Sequence, residues 1–176
     1  MGWSFKLHGG LAAGLGTALL VLAGLTWLPG TLHLSASGWP TAAIFALLFP
    51  IFIAALVRVF LRRADRHDMW LAFRCLPGKV EVALGALVLS GVTLLTVSGV
   101  GVGNVQAAEM KEGRYFVFDT TPYKRGTVEV SRSQYLDVLE SDQRSMFAIP
   151  GVLFVGAAYF ALTAGELRRA ELGAWK

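Results

Sequence analysis

An all-α membrane protein is the expectation for this chain: a four-transmembrane-helix bundle carrying a small extracytoplasmic β-hairpin plus helix (ββα) cap between spans 3 and 4. Four long apolar stretches occupy nearly half of the sequence, and the only Asp, Glu, Lys or Arg residues within them are Arg58 and Glu81, each near an end of its stretch. Apolar residues make up 55% of the chain and charged residues 16%, where an ordinary soluble domain has about 25% charge. The mean hydropathy is +0.56. A polar segment from 101 to 145 then separates the third apolar stretch from the fourth.

The first span, about 9–28, reads GGLAAGLGTALLVLAGLTWL. It has about the 20 residues needed to cross a hydrocarbon core of about 30 Å. Lys6 ahead of an apolar run has the look of a signal peptide. The run is longer than a typical apolar region of that kind, and LPGTLHLSASGWP follows it instead of a small-residue cleavage site, so it reads as a retained span. The second span, about 40–61, is opened by Trp39 and Pro40, an interface-preferring ring and a proline that sacrifices no hydrogen bond at a first helical position. Pro50 lies mid-span, removes one intrahelical bond and predicts a kink. The third span is about 80–100 and the fourth about 146–163, the latter near the short limit. Residues 1–100 thus hold three spans and a basic loop at 62–79, residues 101–145 the cap, and residues 146–176 the fourth span and a tail.

Charge orients these spans. Arg62, Arg63, Arg66, Arg74 and Lys79 lie between the second and third spans, against Asp65, Asp68 and Glu81. The connection from Pro29 to Trp39 has no Lys or Arg, while the tail carries Arg168, Arg169 and Lys176. Excess Lys and Arg mark the cytoplasmic side, so both termini and the middle loop are expected inside and 101–145 outside. The net charge of +4 does not point to nucleic acid, because the basic residues cluster beside spans. The bilayer is the expected partner, with Arg62, Arg63, Arg66, Arg74 and Lys79 as candidate contacts for anionic lipid. Setting orientation alone also accounts for them and is the preferred reading, because positive-inside bias needs no further role. Met69, Trp70, Leu71, Phe73 and Leu76 make the same stretch partly amphipathic and suited to the interface.

Within the outer segment, 99–104 (GVGVGN) reads as a flexible connection. Arg114–Asp119 (RYFVFD) and Gly126–Val130 (GTVEV) are aromatic and β-branched, and the turn-forming Pro122 lies between them, which predicts a hairpin. Alternation puts Arg114, Phe116 and Phe118 on one face and Tyr115, Val117 and Asp119 on the other. Ser131 with Gln134 forms a capping-box pattern for a following helix. Tyr135, Leu136, Val138 and Leu139 give that helix an apolar stripe, Glu140 and Arg144 an i,i+4 pair, and Pro150-Gly151 an expected kink. A hairpin alone is marginal in water, so the cap must pack on the spans or on a partner.

Small residues recur at four-residue spacing as Gly10, Gly14 and Ala18 in the first span and as Ala157, Ala161 and Gly165 in the fourth. Such faces let helices approach closely in lipid, either between copies or, the preferred reading, within the monomer. The run Thr96-Val97-Ser98-Gly99-Val100-Gly101 resembles the TVGYG filter of potassium channels but lacks its aromatic, inserts a serine and ends a complete span. A Gly-rich helix exit is the better reading, with Thr93, Thr96 and Ser98 bonding nearby backbone or lining a polar seam.

His8, His33 and His67 lack a second ligand at metal spacing, and the lone Cys75 has no His or Asp pattern that would activate it. Nothing marks a member of the outer acids Asp119, Glu129, Asp137 and Glu140 as activated. No catalytic residue, metal or cofactor is therefore assigned. The layout resembles that of tetraspanins without their Cys-Cys-Gly motif and paired loop cysteines, and that of small four-span multidrug transporters without a glutamate in the first span; no family is assigned.

Membrane proteins that move ions or charged substrates usually place an ionisable residue inside a span. The expected function is accordingly non-enzymatic: a protein of a bacterial plasma membrane acting by protein–protein contact, as an accessory subunit, an immunity-type protector or a sensor. Tyr115, Phe116, Phe118 and Tyr123 are the candidate contact residues. The alternative is a small homo-oligomeric channel gated by apolar constrictions. The bacterial assignment rests on Arg exceeding Lys and on enrichment in Ala, Gly, Leu and Val.

Overall fold

A computed structural model describes residues 2–28 and 39–174, so the readings that fall on the first inter-span connection, His33 and Lys176 lie outside the described residues. The chain is mostly helical, with a small sheet: α1 (Trp3–Leu25), α2 (Trp39–Phe60), α3 (Arg66–Arg74), α4 (Gly78–Val102), β1 (Val105–Lys111), β2 (Arg114–Asp119), β3 (Gly126–Glu129) and α5 (Arg132–Ala174). Helices α1, α2, α4 and α5 are each long and apolar enough to cross a membrane.

α1 starts ahead of its apolar run. The Gly2 carbonyl accepts from the amides of Phe5 and Lys6, and Phe5 is buried, so packing draws the polar first turn into the helix. α2 runs through Pro50 and α5 through Pro150 without interruption. The partly amphipathic stretch between the second and third spans forms α3, opened by a reciprocal cap: Asp68 N donates to Asp65 Oδ1 at 2.8 Å while Asp65 N donates to Asp68 Oδ2. Trp70 and Leu71 stay exposed on it, whereas Ala72 and Leu76 are buried.

Two expectations for the outer segment are corrected. The Gly-rich 99–104 is helical as far as Val102, and Gly103 leaves the helix at φ +65°. The cap also has a third strand, giving an antiparallel sheet in the order β1-β2-β3 instead of a two-stranded hairpin. β1 and β2 join through Glu112 (φ 50°) and Gly113 (φ 78°), the paired positive angles of a tight two-residue hairpin. VQAAEMK has little β-branched or aromatic content, which hid β1. The other two strands and the Ser131–Gln134 cap lie where the sequence puts them, with Gln134 N donating to Ser131 Oγ and Ser131 N donating to Gln134 Oε1.

α5 is the axis of the bundle: α1, α2, α3 and α4 all pack against it, while α1 meets α4 on a shorter seam and barely touches α2. Phe154, Val155, Ala157, Ala158 and Ala161 of α5 lie at the centre with Ala12, Leu19, Leu20 and Ala23 of α1. α2 adds Leu48 and Ala55, and α4 adds Leu84 and Leu94. The α1–α5 approach needs glycine: a Cβ on Gly16 would lie 3.0 Å from the Gly151 carbonyl oxygen and 2.8 Å from a Val155 methyl. Only 11% of the most apolar stretch of α2, and of α4, is buried, so both present broad apolar faces outward.

Candidate functional site

The cap is built on the amino-terminal end of α5. Tyr115 stacks on Tyr135 with ring centroids 4.9 Å apart, and Val117 and Val138 are both buried, forming a small core between sheet and helix. β1 is fastened by a second device. Its register shifts between Gln106 and Glu109, Ala107 stands at φ 54°, and Ala108 N donates to Asp142 Oδ2 at 3.3 Å. The bulge thus turns a backbone amide toward a carboxylate on α5. A shallow cavity of about 340 Å3 opens there, lined by Gln106, Asp142, Ser145, Met146, Ile149 and Phe45 among others.

The four candidate contact aromatics divide. Tyr115 belongs to the cap's own core, and Phe116 is half-buried between its cross-strand partners Glu109 and Glu129. Phe118, paired with Gln106 and Thr127, is exposed, and Tyr123 is fully exposed. Tyr123 also stands at φ 69°, at the third position of a turn closed by Lys124 N donating to the Thr121 carbonyl at 3.1 Å. Glycine ordinarily fills such a position, and a bulky side chain there is strained. Asp119 braces the same loop: its Oδ1 accepts from the amide of Thr121 at 2.8 Å and from its hydroxyl, and these two bonds hold the carboxyl below its usual range.

Where the cap meets α1, Arg144 is buried. Its Nε donates to Thr26 Oγ1 at 3.1 Å and its guanidinium lies 5.2 Å from the Trp27 ring centroid. The expected i,i+4 ion pair with Glu140 is therefore not what positions Arg144, although that acid's charge remains close. A cation at the carboxyl end of α1 complements its dipole.

At the opposite end of the bundle, the five basic residues expected to meet lipid separate into two kinds. Arg62 pairs with Glu171, and Arg74 pairs with Glu81 at 2.7 Å. Arg63, Arg66 and Lys79 are exposed and have no carboxylate within ion-pair distance among the described residues. Arg58, whose direction the sequence left open, donates from Nη1 to the Ser4 carbonyl at 3.2 Å. Cys75 is exposed beside cavities of about 470 and 540 Å3 that share Glu166 and Arg169. His8 Nε2 is 3.0 Å from the Ile51 carbonyl oxygen and His67 is exposed, and among the described residues no group of three or more His, Cys, Asp or Glu side chains gathers as a metal site.

The small-residue faces also part company. Ala157, Ala161 and Gly165 are buried within the bundle. Gly10, Gly14 and Ala18 are exposed, with open space beyond both glycines, so α1 packs in the monomer through Gly9, Ala12, Gly16 and Ala23 instead. On α4 the hydroxyls of Thr93, Thr96 and Ser98 all bond to carbonyls of their own helix, and the Ser98 carbonyl accepts from Ser141 Oγ at 3.1 Å.

Fold and site together describe a helical-bundle protein of the multi-pass membrane kind, with four helices able to span and a sheet-and-helix cap at one end. No family model matches the chain, and no curated protein or solved structure matches it either.

Proposed function

We propose that this is a non-enzymatic multi-pass protein of a bacterial plasma membrane, with both termini cytoplasmic, that acts by protein–protein contact through its outer cap. Accessory subunit, immunity-type protector and sensor all fit that description. Tyr123 carries the reading: a fully exposed ring held at an angle that glycine would ordinarily take. Strain of this sort costs about 1–3 kcal/mol and clusters at functional positions. Phe118, on strand β2, is exposed and flanked by polar cross-strand partners, the composition of an anchor with a polar rim. The membrane setting is supported by the outward apolar faces of α2 and α4, which water would not tolerate at this size.

The test places a photo-crosslinking amino acid at position 123 of the full-length chain in its native membrane. A single adduct of defined mass, reduced at least tenfold by Phe118→Ala, is expected. An adduct indifferent to Phe118, or none at all, would remove the contact reading.

A second reading, a homo-oligomeric channel, is favoured by one observation: the outward stripe of Gly10, Gly14 and Ala18, which no described residue covers. It calls for an oligomer of defined size in nanodiscs and for ion leak in liposomes.

A further inference from the structure

Phe5, buried near the start of α1, carries two guanidinium groups on one ring. Arg58 Cζ, from the last turn of α2, lies 4.7 Å from the ring centroid, and Arg168 Cζ, from α5, lies 5.8 Å from it. Each contact is favourable by itself, since a cation is drawn to the face of a ring. Both cations are therefore held by the same ring, and like charges on one ring repel each other.

The surroundings sharpen the imbalance. Arg62 is met by Glu171, Arg74 by Glu81, and Arg169 by Glu166 at 3.6 Å. Arg58 and Arg168 have no carboxylate within ion-pair distance among the described residues; the one hydrogen bond Arg58 makes is to the Ser4 carbonyl. Three neighbouring arginines are neutralised, and the two on Phe5 have no such carboxylate among the described residues.

We infer that Arg58, Arg168 and Phe5 form a headgroup site for an anionic phospholipid of the cytoplasmic leaflet, its anionic headgroup neutralising the two guanidinium groups. Planar forks match phosphate oxygens two at a time, which a scattered lysine surface does not. The lipid source, rather than free phosphate, follows from depth. Arg58 lies inside an apolar span, with Val57, Phe60 and Leu61 exposed beside it, so an anion arriving there meets acyl-chain surface at once. This differs from diffuse attraction of the leaflet to Arg63, Arg66 and Lys79. The site rests on the membrane reading above.

The test uses the full-length chain in phosphatidylcholine nanodiscs, with or without phosphatidylglycerol, and in phosphatidylcholine nanodiscs with added inorganic phosphate. Retained lipid is counted by native mass spectrometry, and the thermal midpoint is followed in parallel. The wild-type chain is expected to keep phosphatidylglycerol and to unfold at higher temperature with it, and free phosphate should do neither. Arg58→Gln with Arg168→Gln should lower retention about twenty-five-fold, at about fivefold for each basic residue near a charged leaflet. Arg66→Gln with Lys79→Gln, which removes the same charge from the diffuse surface, should lower retention clearly less. Absence of phosphatidylglycerol selectivity in the wild-type chain overturns the site and needs no variant to fold. Equal stabilisation by free phosphate overturns it too, as does equal loss from the Arg66 and Lys79 pair. Flotation with liposomes separates the two readings: a chain that fails to float sinks the membrane assignment, while one that floats without selectivity sinks only this site.

Discussion

Arg144 on α5 donates from Nε to Thr26 Oγ1, and that hydroxyl donates in turn to the Ala23 carbonyl at 2.7 Å. The chain of two bonds ties the carboxyl end of α1 to the point where α5 leaves the cap. Both residues are buried, so neither lost partner is readily replaced by bulk water. Arg144→Leu should therefore destabilise the protein by about 1.5–3 kcal/mol, the range for a hydrogen bond to a charged group. Thr26→Val should cost about 1 kcal/mol, and the double variant less than the sum because the two share one interaction. Unfolding in mixed detergent, followed by Trp27 fluorescence, reports all three. Strict additivity would mean that the geometry contributes nothing.

Gly16 and Gly14 lie two positions apart on α1 and face opposite ways. Gly16→Val drives a side chain into the Gly151 carbonyl and Val155, and should cost about 1–3 kcal/mol as overpacking does. Gly14→Val meets open space within the monomer, so the monomer's stability should change little. If copies associate through the outward stripe, Gly14→Val should dissociate them while leaving each folded. Size and thermal midpoint, measured together in detergent, distinguish the two effects.

The spans were legible because an apolar run of about 20 residues has few alternative explanations. Ser131 and Gln134 marked the start of α5 for the same kind of reason: a capping box is local, and its partners are three residues apart. What escaped notice was non-local. Arg144 reads in sequence as the partner of Glu140, whereas its hydrogen-bond partner is Thr26, 118 residues away. Nothing local says that Gly10 and Gly14 face outward while Gly9 and Gly16 face in, since small residues recur all round this helix. The strand β1 did leave one signal, the Glu112-Gly113 pair before RYFVFD, a turn chemistry that outweighs the weak strand preference of VQAAEMK. Asp142 explains the rest: its carboxylate receives the bulged amide that β1 would otherwise leave without a ladder partner.

Tyr123→Gly separates strain from contact. Glycine adopts the positive φ freely, so the turn should relax and the cap should gain up to about 1 kcal/mol. Amide exchange in β2 and β3 should slow accordingly. The same change removes the displayed ring, so any partner captured through the cap should bind at least tenfold more weakly. A variant that is both less stable and equally competent in binding would contradict both halves of the argument.

The same loop should respond to pH through Asp119. Two bonds from Thr121 hold its folded-state carboxyl below the ordinary range, so folding favours the ionised form. The stabilisation is fully present above the unfolded-state value and is lost as pH falls through the lower, folded value. At neutral pH the Thr121 amide should therefore be protected from exchange, with protection fading only in acid beneath the usual carboxylate midpoint. Asp119→Asn keeps a carbonyl acceptor but removes the charge, so it should weaken the loop at neutral pH and abolish the acid-dependent step. A nuclear magnetic resonance titration of the Thr121 amide in the full-length protein reads both effects. A midpoint at or above that of an unfolded aspartate would show that the two bonds do not hold in solution, and the rigid presentation of Tyr123 would lose its brace.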